Sequence, residues 1–409
     1  MDLDADFQGR AGDPAAAFDR LPTAQRAILG YYAETGRLDY RALRIKSAVD
    51  DTLDRILDGV YGDIEAELEA ELDVEDATFE YETKLTLPAE LTLGYLYRRA
   101  LARATGGYDP ITEEAGRLAA LGRGDPSAPA NREAREYVES AEAATALIVQ
   151  ALLDGDMRDA INDDEFEDFE VDLVGGTDPD RRTVAERAQS YLQGVVEDAF
   201  DRAPDAVRNA YDEAVEVSEA HQDEDDRFRK LLAAALDSEG RRSTSNRTGS
   251  GDGDPATASI EDEYKFAPVP DDAPFGERER DLPYLKTQYD RVGVIYKGML
   301  DAYRGVGFDI PDAFGASIIL AIIGAQIWLD DVDDYHDDVA ERQLTPVTAE
   351  YVLAESDAVA YANVVSITME YFDLARAHAE AADSPLNGIA IEYILRSGEP
   401  DRLPGGPGR

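Results

Sequence analysis

The residues best suited to chemistry in this chain are six aspartates within nine positions, Asp330, Asp331, Asp333, Asp334, Asp337 and Asp338, in the stretch GAQIWLDDVDDYHDDVAERQLTP (Gly324–Pro346). On a helix that advances 100° per residue, Asp330, Asp331, Asp334, Asp337 and Asp338 fall within an arc of about 120°, with Gln326 one turn earlier near the same face. Like charges at this spacing destabilise a bare helix, so water, salt or a multivalent cation must offset the repulsion. Mg²⁺ takes oxygen ligands, keeps several waters, and commonly uses one or two carboxylates together with a phosphate. A DDxxD face suits that chemistry. The chain holds 52 aspartates, so the pattern also arises by chance, and the copy at Asp50–Asp54 reads as a solvated surface. The copies at Asp330–Asp334 and Asp333–Asp337 overlap and follow directly on Ala313–Leu329, the most apolar stretch of the chain. His336, inside the cluster, reads as a helix-surface residue.

The elements that must position this face read as helices. Apolar residues recur at helical period over Ala24–Thr35, Ala42–Val60, Ala89–Thr105, Arg132–Ile161, Thr183–Asp201, Ala206–Leu236, Leu282–Gly305, Asp312–Val339, Ala349–Glu355 and Ala358–Ala381. Only Thr78–Thr86 reads as a short extended piece. Ala313–Leu329 is at the lower edge of membrane-spanning length, but it contains Ser317 and Gln326 and runs into the aspartates, so it reads as a buried core helix. Asp237–Glu263 is rich in Ser, Gly, Thr and Asp without apolar rhythm and reads as a flexible insertion. Residues 399–409 read as a disordered Pro/Gly tail.

Composition sets the surroundings. Asp and Glu number 88 against 40 Lys and Arg, a formal charge of −48, and lysine occurs only six times. Such a surface stays hydrated in multimolar salt, which points to a halophile's cytoplasmic protein. It excludes nucleic acid as a partner, because phosphates would meet carboxylates. The apolar fraction of 44% in periodic blocks excludes wholesale disorder. No cysteine is present, so no disulfide or thiolate metal site exists. The acidic N-terminus lacks the basic start and apolar core of a signal peptide.

These residues resemble the polyprenyl synthetase branch of the class I isoprenoid synthases, an all-α barrel with two aspartate-rich motifs facing each other across a central cavity. The family's second motif reads FQxxDDxxD after an apolar helix. Gln326, Asp330, Asp331 and Asp334 match it in type, with Ala325 in place of Phe and Gln326 one residue further from the aspartates. The family's Lys-Thr pair, whose lysine meets diphosphate, is matched by Lys286-Thr287 at about the family's spacing. LGYLYRRALARATGGYDP (Leu93–Pro110) resembles an early helix with a basic pair, here Arg98-Arg99, ending at Gly-Gly. EYVESAEAATALIVQALLDGDMRD (Glu136–Asp159) resembles the helix that ends in the first motif. Gly155 stands where its first aspartate belongs, leaving Asp156 and Asp159, with Asp163 one turn on as a substitute. The Arg pair expected soon afterwards appears only at Arg181-Arg182.

The resemblance covers residues 89–398, with 237–263 as a surface insertion and 1–88 as an N-terminal helical extension. It implies a Mg²⁺-dependent enzyme that ionises an allylic isoprenoid diphosphate, for prenyl transfer to isopentenyl diphosphate or for cyclisation. Asp330, Asp331 and Asp334 would hold one ion and Asp156, Asp159 and Asp163 the others. Lys286 with Arg98 or Arg99, and Arg181-Arg182, would meet the substrate. Thr287 and Gln326 complete the expected site, and a homodimer is the common assembly. Two alternatives stand beside it: a relative that kept the fold and binds isoprenoid diphosphate or a protein partner without catalysis, and a salt-adapted helical structural protein.

Overall fold

In a computed structural model of the chain, the described residues are 22–37, 39–81, 83, 86–111, 124–175, 179–244, 255–270 and 273–407. They form a mostly helical protein: α1 (Thr23–Thr35), α2 (Tyr40–Leu72), β1 (Asp76–Tyr81), α3 (Leu87–Arg103), α4 (Pro129–Asn162), β2 (Phe169–Val174), α5 (Arg181–Phe200), α6 (Asp205–Gln222), α7 (Asp225–Thr244), α8 (Val294–Val306), α9 (Asp312–Ala325), α10 (Pro346–Leu353), α11 (Asp357–Ala381) and α12 (Pro385–Ser397), with shorter helical turns between them. The chain divides into two compact units. Unit 1 comprises Met1–Leu38, Val217–Val294 and Pro311–Arg409, and unit 2 comprises Asp39–Glu216 and Ile295–Ile310. The expected boundary at residue 88 is therefore not the observed one. α1 belongs to unit 1, where it packs on α12, whereas α2 and β1 belong to unit 2.

Unit 1 is built around α9. This helix is apolar all round, and a helix without a polar face must be covered on every side. Phe314, Ile318, Ile319, Leu320 and Ile323 are buried, and α11 lies along it. The two approach so closely at Gly324 that a Cβ there would sit 2.7 Å from the Phe372 ring. Asp312–Asp333 is long and apolar enough to cross a membrane, yet 67% of its most apolar window is buried inside the protein. α10 begins at a reciprocal cap: the Thr348 amide donates to Thr345 Oγ1 (3.3 Å) and the Thr345 amide to Thr348 Oγ1 (2.8 Å).

In unit 2, α2 starts where Asp39 accepts from the amides of Arg41 (2.9 Å) and Ala42 (3.1 Å). β1 alternates exposed and buried residues, so Ala77, Phe79 and Tyr81 point inward. It pairs antiparallel with β2, from Asp76 opposite Val174 to Tyr81 opposite Phe169. The sequence reading found β1 and missed β2, whose acidic residues on one face hid the apolar alternation of Phe169, Val171 and Leu173.

Three other expectations differ. α7 runs on to Thr244 and Pro255–Lys265 is helical, so both ends of the expected insertion are ordered; residues 245–254, like 1–21 of the expected extension, lie outside the described residues. The expected tail packs instead: Leu403 is 1% exposed, Tyr351 Oη donates to the Pro404 carbonyl at 2.5 Å, and Arg402 pairs with Asp333 at 3.1 Å. Pro/Gly composition reports local freedom, and these distant contacts override it. Finally, the helix expected over Asp312–Val339 is interrupted twice, and both interruptions fall at the acidic cluster.

Candidate functional site

The first interruption is a π turn over Gln326–Asp330, closed by the Asp331 amide donating to the Gln326 carbonyl five residues back. Such a turn absorbs one residue more than an α turn. The Gln326 side-chain amide reaches the Asp331 carboxylate in a hydrogen bond. The second interruption is at Asp334, whose backbone (φ −87°, ψ 1°) leaves helical geometry before Tyr335–Glu341 resumes. The amides of Asp334 and Asp338 still donate four residues back, each at 2.8 Å.

This geometry splits the arc expected for the aspartates. Asp331 faces inward and is 2% exposed, and Asp338 is half-buried, whereas Asp330, Asp333, Asp334 and Asp337 face solvent. Arg291 Nη1 lies 3.6 Å from Asp331 Oδ1. Arg291 comes from a second π turn, Tyr289–Gly293, and the buried Tyr264 from a third, Ile260–Lys265. Asp331 Oδ2 and Asp338 Oδ2 are buried without a hydrogen-bond partner. Burial pushes the Asp331 carboxyl up to about 7, against the pull of Arg291 and with the charges of Asp338 and Asp330 adding to the rise. Burial and the Asp334 charge push Asp338 up to about 6, while Arg291 and a hydrogen bond from Thr345 oppose them.

Lys286 is in the same unit and pairs with Asp290 one turn on. Burial lowers its proton affinity, with Glu224 opposing. Lys286 and Arg291 both depress the buried His221, whose pKa falls to about 4 mainly through desolvation. Thr287 is 4% exposed, and its hydroxyl lies within hydrogen-bond distance of the carbonyls of Tyr284 (3.2 Å) and Tyr264 (3.4 Å).

The residues expected to form the other half of the site belong to unit 2 and are not gathered there. Asp156 accepts hydrogen bonds from Tyr81 and Thr83 at the end of β1, and burial raises its pKa. Asp159 is exposed, and Asp163 is exposed at the C-terminal end of α4. Arg98 pairs with Asp39 at 2.8 Å. Arg99 donates to Tyr95 Oη at 2.8 Å and pairs with Asp309 at 3.0 Å. Arg181 is exposed at the start of α5, and Arg182 pairs with Asp164 and lies over the Phe166 ring. Arg98, Arg99 and Arg182 each pair with a carboxylate, as happens readily when carboxylates outnumber cations two to one. Unit 2 also has a cleft of about 660 Å³ lined by Tyr40, Arg41, Arg44, Tyr108 and Asp109, in which Arg44 Nη2 lies 2.5 Å from Asp109 Oδ2.

Sequence reasoning missed Arg291 and assigned Asp338 no role. The available signal was that Arg291 is the one cation between Lys286 and Lys297, in the otherwise largely apolar stretch TQYDRVGVIY. Among the described residues no group of three or more His, Cys, Asp or Glu side chains is arranged to hold a metal ion. The donors at the acidic turn nevertheless suit Mg²⁺, since two inward carboxylates with unpartnered oxygens match an ion that uses one or two carboxylates and fills its shell with water and phosphate. No family model, curated protein or solved structure matches the chain.

Proposed function

We propose that the chain is a divergent relative of the class I isoprenoid synthases that binds an allylic isoprenoid diphosphate with Mg²⁺ at the acidic turn of unit 1, without turning it over. Asp331 carries this reading. A carboxyl that is 2% exposed and keeps one oxygen unpartnered costs folding free energy, and a buried polar group left unsatisfied calls for a ligand to satisfy it. Asp331 and Asp338 would hold the ion from the inner side, with Asp330 and Asp334 at the solvent edge. The bound ion supplies positive charge against the diphosphate oxygens. Lys286 offers a second cation on the same unit.

Binding without ionisation is favoured because Asp156 is engaged by Tyr81 and Thr83 at the end of β1, and Arg98 and Arg99 pair with Asp39 and Asp309. The salt-adapted, cytoplasmic setting read from composition belongs to the same proposal. The test incubates the protein in molar KCl and Mg²⁺ with dimethylallyl, geranyl, farnesyl and geranylgeranyl diphosphates, each with and without isopentenyl diphosphate. Retained ligand and released diphosphate are both measured. Retention without release is expected. Mg²⁺-dependent release that is lost in Asp330→Ala, Asp334→Ala would make the chain an active synthase. Neither retention nor release from folded protein would leave the structural reading.

A further inference from the structure

We propose that Arg291 is an internal counter-cation that holds the place of the divalent ion at Asp331 and Asp338, so that entry of the ion and departure of the guanidinium are one exchange. The inference rests on the diphosphate-binding reading and adds its control element.

Three observations carry it. First, Arg291 lies beside Asp331 and feels two further acidic groups. Asp331, Asp338 and Asp225 act on it, together with the Tyr264 hydroxyl. Two other cations act nearby, Arg229 on Asp225 and Lys286 on His221, and Lys286 is paired with Asp290. Second, Arg291 is held by charge alone. Its closest approach to Asp331 is 3.6 Å, beyond hydrogen-bond length, and among the described residues its guanidinium donates no hydrogen bond. Structural arginines in this protein are held differently: Arg98 reaches Asp39 at 2.8 Å, and Arg376 and Arg396 reach the buried Glu392 at 2.5 and 2.8 Å. A guanidinium with five donors that makes none of these bonds loses little on leaving. Third, the carboxylates it neutralises are incompletely used. Asp331 Oδ2 and Asp338 Oδ2 remain buried and unpartnered with Arg291 in place, so the pairing leaves two oxygens for a hard cation. The side chain of Arg291 is one-third exposed.

The arrangement gives the site two charge-balanced states. Without the ion, Arg291 balances the acidic face and keeps the turn folded. With the ion, Arg291 is displaced from the carboxylates toward solvent, where it is free to meet the diphosphate that the ion brings. Removing Arg291 therefore has opposite consequences for the two ligands: the ion binds more tightly and the diphosphate more weakly.

The experiment compares the wild-type full chain with Arg291→Gln, titrating Mg²⁺ alone by calorimetry and then inorganic diphosphate at saturating Mg²⁺. Folding is followed by far-UV circular dichroism in EDTA and in Mg²⁺. The expected result is Mg²⁺ affinity at least about tenfold tighter in the variant, because a competing unit charge is gone from a partly buried site, with diphosphate affinity reduced. If the variant fails to fold in EDTA, Mg²⁺ should restore folding, since the ion supplies the missing charge. A variant that stays unfolded with Mg²⁺, or that folds and binds Mg²⁺ no more tightly than the wild type, overturns the exchange. Wild-type protein that binds no Mg²⁺ overturns the diphosphate-binding reading itself and takes this inference with it, so the two failures are told apart by the wild-type titration.

Discussion

Replacing Asp331 by Asn tests whether the acidic turn is kept at the expense of stability. The carboxyl is buried, and its pKa rises from 3.8 to about 7 in the folded protein. Below pH 3.8 both folded and unfolded chains carry the proton and the group contributes nothing. Between 3.8 and 7 the unfolded chain loses the proton while the folded chain keeps it, so stability falls as pH rises, by about 1.4 kcal/mol per pH unit. Above 7 the penalty is constant at roughly 4 kcal/mol, from about three pH units at that slope. Asn keeps the shape, can still hydrogen-bond Gln326, and has no charge to desolvate. The attraction to Arg291, 3.6 Å away, is already contained in the raised pKa, so its loss is not subtracted again. The net expectation in metal-free buffer is a variant more stable than the wild type by roughly 4 kcal/mol near pH 8, shrinking to about 1–2 kcal/mol near pH 5 and to zero below the unfolded pKa of 3.8. Trp328, the only tryptophan of the chain, sits in the π turn beside Asp331, so its fluorescence during urea unfolding reports unit 1 directly. A variant less stable than the wild type at pH 8 would refute the reasoning and make Asp331 a structural partner of Arg291. A difference independent of pH would refute the assignment of the burial penalty to this carboxyl.

Gly324→Ala places a methyl 2.7 Å from the Phe372 ring and should destabilise the protein by about 1–3 kcal/mol, read as a lower urea midpoint in the same Trp328 assay. Glu350, 1% exposed, takes Lys265 at 2.6 Å, Tyr284 Oη at 2.6 Å and Asn363 at 2.9 Å; Glu350→Ala strands all three and should cost about 3–5 kcal/mol, visible as a large fall in melting temperature. A Cβ at Gly155 would meet nothing within 4 Å, so Gly155→Asp, which supplies the missing aspartate of the first motif, should change stability by less than about 1 kcal/mol by thermal melting.

Much of the helical framework was legible in the sequence because burial imposes its period. α9 read as a core helix because its apolar run carries Ser317 and Gln326 and sits at the lower edge of membrane-spanning length. What remained hidden was set by non-local pairing. β2 reads as an acidic loop until its partner β1 is in place. The ordered C-terminal turn depends on Tyr351 and Asp333, which lie far from it in sequence. α12 was not predicted because Asn387, Glu392 and Arg396 break its apolar rhythm, and they are buried or paired through Ser317 and Arg376. At the acidic turn, sequence spacing identified the residues, but an ideal helix placed Asp330, Asp331 and Asp334 on one face. The π turn at Gln326–Asp330 and the break at Asp334 instead bury Asp331 and leave Asp338 half-buried, with Asp330 and Asp334 exposed. Arg291 gave no motif, because a lone cation finds its carboxylates only through the fold.

The most direct test of the account is a titration of Trp328 fluorescence with geranyl diphosphate in molar KCl, with Mg²⁺ and with EDTA, for the wild type and for the double variant Asp331→Asn, Asp338→Asn. The account predicts a saturable change in the wild type that requires Mg²⁺ and is absent from the folded double variant. A change that is the same in EDTA, or that survives in the double variant, would contradict it.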